Sequence, residues 1–236
     1  MDIFNPNFNN FKKKYNLSKP QLLYTALSAD LYTPVSTLIK FQKEKYIFLF
    51  ESVEKGNHRG RYSAIGIKPD LIWECKNNES FLKQVSENKI CGVIKNKFSP
   101  IQSLKKLFKK NKFKIPEYLP PMSSGLFGYL GYEMISHFEE INFKNKDILK
   151  LPDSIFIRPS LMLIFDNIKD NLFIIKTVWP EKRFSPKQKF NSSIKEINWV
   201  LSKLKQSIKF KNFKKPNSVS EQKHLYKNVK SNVNFA

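Results

Sequence analysis

Residues 46–50, 61–66 and 71–75 are short runs of aromatic and β-branched side chains, parted by Gly, Asn, Pro and Asp. Runs this short, bounded by turn formers, cannot be helices of ordinary length and predict successive antiparallel strands. Two longer β-prone runs at 154–166 and 171–179 flank Lys169-Asp170, which predicts a hairpin. Pro159 inside the first of them calls for an edge position or a bulge, because proline donates no ladder hydrogen bond.

Helices punctuate this pattern, and each is announced by a hydroxyl residue followed by proline. Thr33-Pro34 opens a short helix near 34–42, Ser99-Pro100 one near 100–112, and Ser185-Pro186 a long one near 186–209. The last carries Phe190, Ile194, Ile197, Leu201, Leu204 and Ile208 at three-to-four-residue steps, the strongest helical stripe in the chain. The fold class expected is α+β, mainly antiparallel sheet with packed helices. The first 18 residues, rich in Asn and Lys, read as a loose lead-in, and residues 19–210 as one domain. After the Lys- and Pro-bearing stretch 209–217, Ser218 and Glu221 form a capping-box pattern, and Leu225, Val229 and Val233 begin another amphipathic stripe.

With 236 residues, 41% of them hydrophobic and 21 Phe, the chain can fill a sizeable core. Its charge of +22 suggests nucleic acid or an acidic membrane surface as partner. The basic residues argue otherwise, since only Arg59, Arg61, Arg158 and Arg183 are arginines, and lysine spread along a chain suits general solvation. The densest run, Lys105 to Lys114, fits a helix with Leu104, Leu107 and Phe108 on its buried face. A basic RNA- or membrane-binding module using the 105–114 and 203–215 lysines is the alternative from another functional class. No apolar leader and no stretch of about 18 apolar residues is present, so a cytoplasmic location is expected. Cys75 and Cys91 show neither zinc spacing nor a disulfide framework and are expected to be reduced core thiols.

No nucleophile has a base and an orienting acid beside it. His58, His137 and His224 are scattered, and Glu139 and Glu140 are adjacent in sequence, which turns them apart onto the surface. Gly125, Gly128 and Gly131 do not have dinucleotide-loop spacing and read as sites of tight backbone packing.

Five segments in order carry a family resemblance: Ala29 to Val35, Phe48 to Glu54, Gly60 to Gly66, Gly125 to Glu133 with Leu151-Pro152-Asp153, and Ser218 to Val233. Together they resemble anthranilate synthase component I, with the aminodeoxychorismate synthase component I of folate synthesis as a close relative sharing the layout. The resemblance implies an enzyme converting chorismate to anthranilate, with ammonia from a glutamine amidotransferase subunit, magnesium, and feedback inhibition by L-tryptophan. It also implies that residues 211–236 are a linker and the first helix of a chorismate-binding region whose remainder would follow. The chain by itself is then expected to have no catalytic residues, no cofactor of its own and no activity.

The family's Leu-Leu-Glu-Ser motif appears as Leu49-Phe50-Glu51-Ser52, with phenylalanine replacing the second leucine. It implies tryptophan contacts for Ser52 and Glu51. Their chemistry fits: a free amino acid needs a donor for its carboxylate and an acceptor for its ammonium. Arg61 either pairs with a carboxylate and holds the pocket wall or ends a strand.

Overall fold

The computed structural model describes residues 4–53, 59–141 and 149–208. His58 and His224, the expected segment 211–236, and most of the 203–215 lysines lie outside them. Four α-helices, α1 (Phe8–Asn16), α2 (Pro34–Lys40), α3 (Pro100–Asn111) and α4 (Pro186–Leu204), surround eight strands: β1 (Gln21–Ser28), β2 (Phe48–Val53), β3 (Arg59–Lys76), β4 (Glu79–Ser86), β5 (Lys89–Lys95), β6 (Phe127–Leu130), β7 (Ser154–Asp166) and β8 (Asn171–Val178). Every pairing is antiparallel, in the order β1-β8-β7-β3-β4-β5, with β2 added to β3 and β6 to β7. The fold class is therefore the expected one, α+β built on antiparallel sheet.

Residues 61–66 and 71–75, expected as separate strands, are the two ends of the single 18-residue β3. The intervening Lys-Pro-Asp does not break the strand; it bends it. Lys68 takes a positive φ of 48°, Pro69 faces Pro159 across the ladder, and the register shifts between Pro69 and Leu71. Pro159 thus sits at an irregularity, as expected of proline, but in a central strand and not at an edge. Both long strands pass this bend together. Beyond it on one side β3 pairs β2 and β7 pairs β8; on the other, β3 pairs β4 and β7 pairs β6. Arg158 fixes the bend: it clasps the Asp70 carboxylate through Nε (2.7 Å) and Nη2 (3.0 Å) and lies over the Trp179 ring.

Each side of the bend has its own cover. Helices α1, α2 and α4 bury Leu23, Ile65, Leu161, Leu163 and Ile174 on one face of the first half-sheet, and the segment 113–127 covers Leu22, Ala64, Met162 and Ile175 on the other. Beyond the bend, α3 seats Leu104 and Leu107 against Trp73 and Cys75, with the indole N–H donating to the Ser103 hydroxyl at 2.9 Å.

The N-caps read from sequence are in place: Thr33, Ser99 and Ser185 accept from the third helical backbone N–H, each with proline just inside. The long stripe ends at Leu204, short of the expected 209. Correcting the loose lead-in, residues 8–16 form α1, because Phe8, Phe11 and Tyr15 stand at helical spacing and Asn7 caps the first turn. Phe11 is fully buried, edge-on to Phe190 at 5.0 Å, and the Tyr15 hydroxyl donates to the Glu181 carbonyl. Cys91 is a second correction: it lies exposed on β5, an outermost strand that no described residue covers on either face, whereas Cys75 is buried. Phe108 is half exposed and packs edge-on against Phe156. Strands β1, β4, β5 and β6 have no counterpart among the strands expected from the sequence. No helix among the described residues is long and apolar enough to cross a membrane.

Candidate functional site

Strand β2 carries Glu51 and Ser52, and its fit against β3 depends on two glycines. Phe48 faces Gly66, and a Cβ on that glycine would lie 2.2 Å from the Phe48 ring. Ser52 lies over Gly60, where a Cβ would come within 2.2 Å of the Ser52 Oγ. Only glycine lets the two backbones approach this closely. The ladder runs regularly from Phe48 to Glu51 and then skips, so that Gly60, Arg61 and Tyr62 of β3 stand against Ser52 alone before Val53 meets Arg59.

Strand alternation sends Phe48, Phe50 and Ser52 to one face, and Leu49 and Glu51 to the other. Phe48, Phe50 and Phe127 form an aromatic cluster, with centroids 4.8 Å apart for Phe48–Phe50 and 5.0 Å for Phe48–Phe127. The phenylalanine that departs from the resembled motif is therefore part of this wall. Leu49 packs into the helix-covered core. Ser52 and Glu51 are thus not stacked on one face; both are exposed, and neither side chain hydrogen bonds another described residue. They share the outer edge of β2, which among the described residues pairs only with β3.

Arg61 holds the opposing bulge. Its guanidinium grips Asp166 through Nε (3.3 Å) and Nη2 (3.1 Å) and lies over the Tyr62 ring. Asn167 adds a side-chain bond to the Gly60 carbonyl at 2.8 Å and a backbone bond to that of Arg61. Burial pushes the Asp166 carboxyl up, but the hydrogen bonds from Arg61 and from the Ile168 and Lys169 backbone N–H groups, with the Arg61 charge, outweigh it and hold the carboxyl below its usual range. Of the two roles read for Arg61, the carboxylate pair is the one the structure has. It secures the β3 segment behind Ser52 to the β7–β8 turn.

Phe127 also lines a cleft of about 450 Å³ bounded by Phe108, Lys112, Phe113, Ile115 and Met122, so the aromatic cluster continues into an apolar groove between α3 and the segment that follows it. Sequence reasoning did not foresee this groove, which needs the β6–β7 pairing to bring Phe127 beside β2. Of the three glycines expected at tight packing, Gly128 and Gly131 are so placed, a Cβ lying 1.8 Å from the Ile155 carbonyl oxygen and 2.5 Å from that of Asp153, whereas at Gly125 it would meet nothing nearer than 3.7 Å.

Other reactive groups are not arranged for chemistry. Burial, then the Asp153 charge, pushes the Cys75 thiol up to about 11, and His137 stands 4.0 Å from its sulfur. A protonated, enclosed thiol is no nucleophile. Glu139 and Glu140 are exposed. Among the described residues no three His, Cys, Asp or Glu side chains converge as metal ligands.

No family model matches the chain. Anthranilate synthase component 1 of Cereibacter sphaeroides is 33% identical over 191 residues, covering 80% of this chain and 38% of that protein. The protein of the same name from Acetivibrio thermocellus is 32% identical over 149 residues, 62% of this chain and 29% of its own length. Among solved structures, anthranilate synthase component I from Streptococcus pneumoniae aligns with a TM-score of 0.47 and 22% identity over 77% of this chain and 37% of that one. The chain thus spans well under half the length of the relatives it matches. Across the stretch that it shares with them, it belongs to the anthranilate synthase component 1 family.

Proposed function

We propose that this chain is the regulatory, tryptophan-recognising part of an anthranilate synthase large subunit in tryptophan biosynthesis. The observation that carries the reading is the β2 edge, where Ser52 and Glu51 of the family-like motif stand exposed, with no side-chain hydrogen bond to another described residue, beside an aromatic wall. A bound L-tryptophan would receive a hydrogen bond from the Ser52 Oγ on its carboxylate, give one from its ammonium to Glu51, and lay its indole near Phe50. Gly60 and the Arg61–Asp166 pair hold the backbone under Ser52 and serve the site by positioning. Conversion of chorismate to anthranilate, with magnesium and with ammonia from a glutamine amidotransferase subunit, is proposed for the complete subunit, in the length its relatives carry beyond the matched stretch. Inhibition would follow if tryptophan binds one state of that subunit more tightly than another.

Titration calorimetry tests the site. Saturable heat with L-tryptophan is expected, lost in Ser52→Trp, weakened in Glu51→Gln and unchanged in Glu139→Gln. Absence of binding by the folded parent chain, or binding that survives Ser52→Trp, refutes the assignment.

A further inference from the structure

Edge strands are ordinarily guarded by charge, proline or a cover, because their unpaired backbone groups invite another strand. Among the described residues strand β5 ends the sheet and pairs only with β4. Its middle is apolar and open, with Ile90 43%, Val93 56% and Ile94 54% exposed.

The sequence around it reads nearly the same in both directions. Residues 88 to 96 are Asn-Lys-Ile-Cys-Gly-Val-Ile-Lys-Asn, symmetric about Gly92 except that Cys91 mirrors Val93. Just outside stand Glu87 and Lys97, of opposite charge and both exposed. A two-fold axis makes residue i of one copy meet residue j of the other and j meet i, so a self-complementary strand is what such an interface requires.

We propose that β5 is a homodimerisation edge, pairing antiparallel with β5 of a second copy about an axis at Gly92. Ile90 then faces Ile94 of the second copy and Cys91 faces its Val93, twice over, which covers the exposed apolar side chains. Glu87 comes alongside Lys97 of the second copy, giving two ion pairs per dimer. The one like-charge meeting, Lys89 with Lys95 of the second copy, is relieved because Lys95 is already paired to Glu79 on β4. Gly92 at the axis has no side chain to hold the strands apart. The bulge at Cys91, where Gln84 meets Gly92 and Val85 meets Ile90, bends the strand and limits the ladder. One strand per copy is far below the roughly 800 Å² per partner of a standard interface, so the association is a weak one.

Sedimentation equilibrium of the 236-residue chain over a hundredfold concentration range is expected to show reversible monomer–dimer exchange. Glu87→Lys and Lys97→Glu should each weaken it about tenfold, by turning two attractions into two repulsions, and the double variant should restore it to near the parent value. Val93→Cys should give a disulfide-linked dimer through Cys91 of the second copy under mild oxidation. In the parent, Cys91 and its own symmetry mate are diagonal neighbours, too far apart to bridge. A chain that stays monomeric throughout, association indifferent to Glu87→Lys, a double variant no better than the singles, or no cross-link in Val93→Cys would each overturn the proposal.

Discussion

Breaking the Lys176–Glu196 pair should cost very different amounts depending on which partner is removed. Lys176 of β8 is buried beneath α4, and its ammonium meets Glu196 at 2.8 Å, while Glu196 keeps a third of its side-chain surface in solvent. Burial pushes the Lys176 pKa down, against the raising effect of Glu196. Glu196→Gln leaves a buried charge without its counterion, for which the penalty is about 3–5 kcal/mol; with Glu196 part-solvated the low end applies, about 3 kcal/mol. At roughly 2–4 °C per kcal/mol for a chain of this size, Tm falls by about 6–12 °C. Lys176→Met removes the buried charge and leaves a carboxylate that can turn to water, so it should cost no more than about 1 kcal/mol. The pH dependence follows in sign. A lysine whose folded pKa lies below its unfolded value holds fewer protons folded than unfolded between the two, so stability rises with pH up to about 10.4. That rise should steepen in Glu196→Gln, which lacks the carboxylate, and vanish in Lys176→Met. Urea midpoints at intervals from pH 7 to about pH 10.4 measure it. Equal losses in the two variants, or a Glu196→Gln chain indifferent to pH, would refute the reasoning.

Phe11→Ala should lower stability by about 3–5 kcal/mol despite lying in the Asn- and Lys-rich first segment, since the ring is fully enclosed; a urea midpoint within error of the parent would return that segment to a loose lead-in. Asp166, with its depressed pKa, contributes stability that is present above about pH 3.9 and lost as pH falls through its folded value. Asp166→Asn should therefore flatten the acid limb of a Tm–pH profile while lowering its plateau, leaving the similarly depressed Glu181 to set what remains of the limb.

The sequence spoke most clearly where one residue suffices to fix a local conformation. Proline after a hydroxyl residue placed three helix starts, and the Lys169-Asp170 turn marked a hairpin in which Asp170 takes a positive φ. Asn77-Asn78 and Glu87-Asn88 also turn with positive φ and close the β3–β4 and β4–β5 hairpins. Asn77-Asn78 offered a signal that could have been used. β5 could not be seen from alternation because neither of its faces is buried. Lys68-Pro69-Asp70 looked like a break because a strand that bends and one that ends contain the same residues; only the partner β7, far along the chain, decides between them. At the candidate site, Glu51 and Ser52 were legible as chemistry. Gly60 beneath Ser52 and Phe127 beside Phe50 were not, since both depend on cross-strand register.

Strands β3 and β7 belong to both half-sheets, and the sheet joins strands far apart along the described chain: β1 waits for β8, and β3 for β7. During synthesis the amino-terminal strands leave the ribosome long before the strands that complete them. Until then β1 and β3 carry their apolar faces uncovered. Such non-local pairing makes for slow folding and leaves unfinished sheet edges open to wrong partners. A formal net charge of +22 opposes the association of such half-made chains.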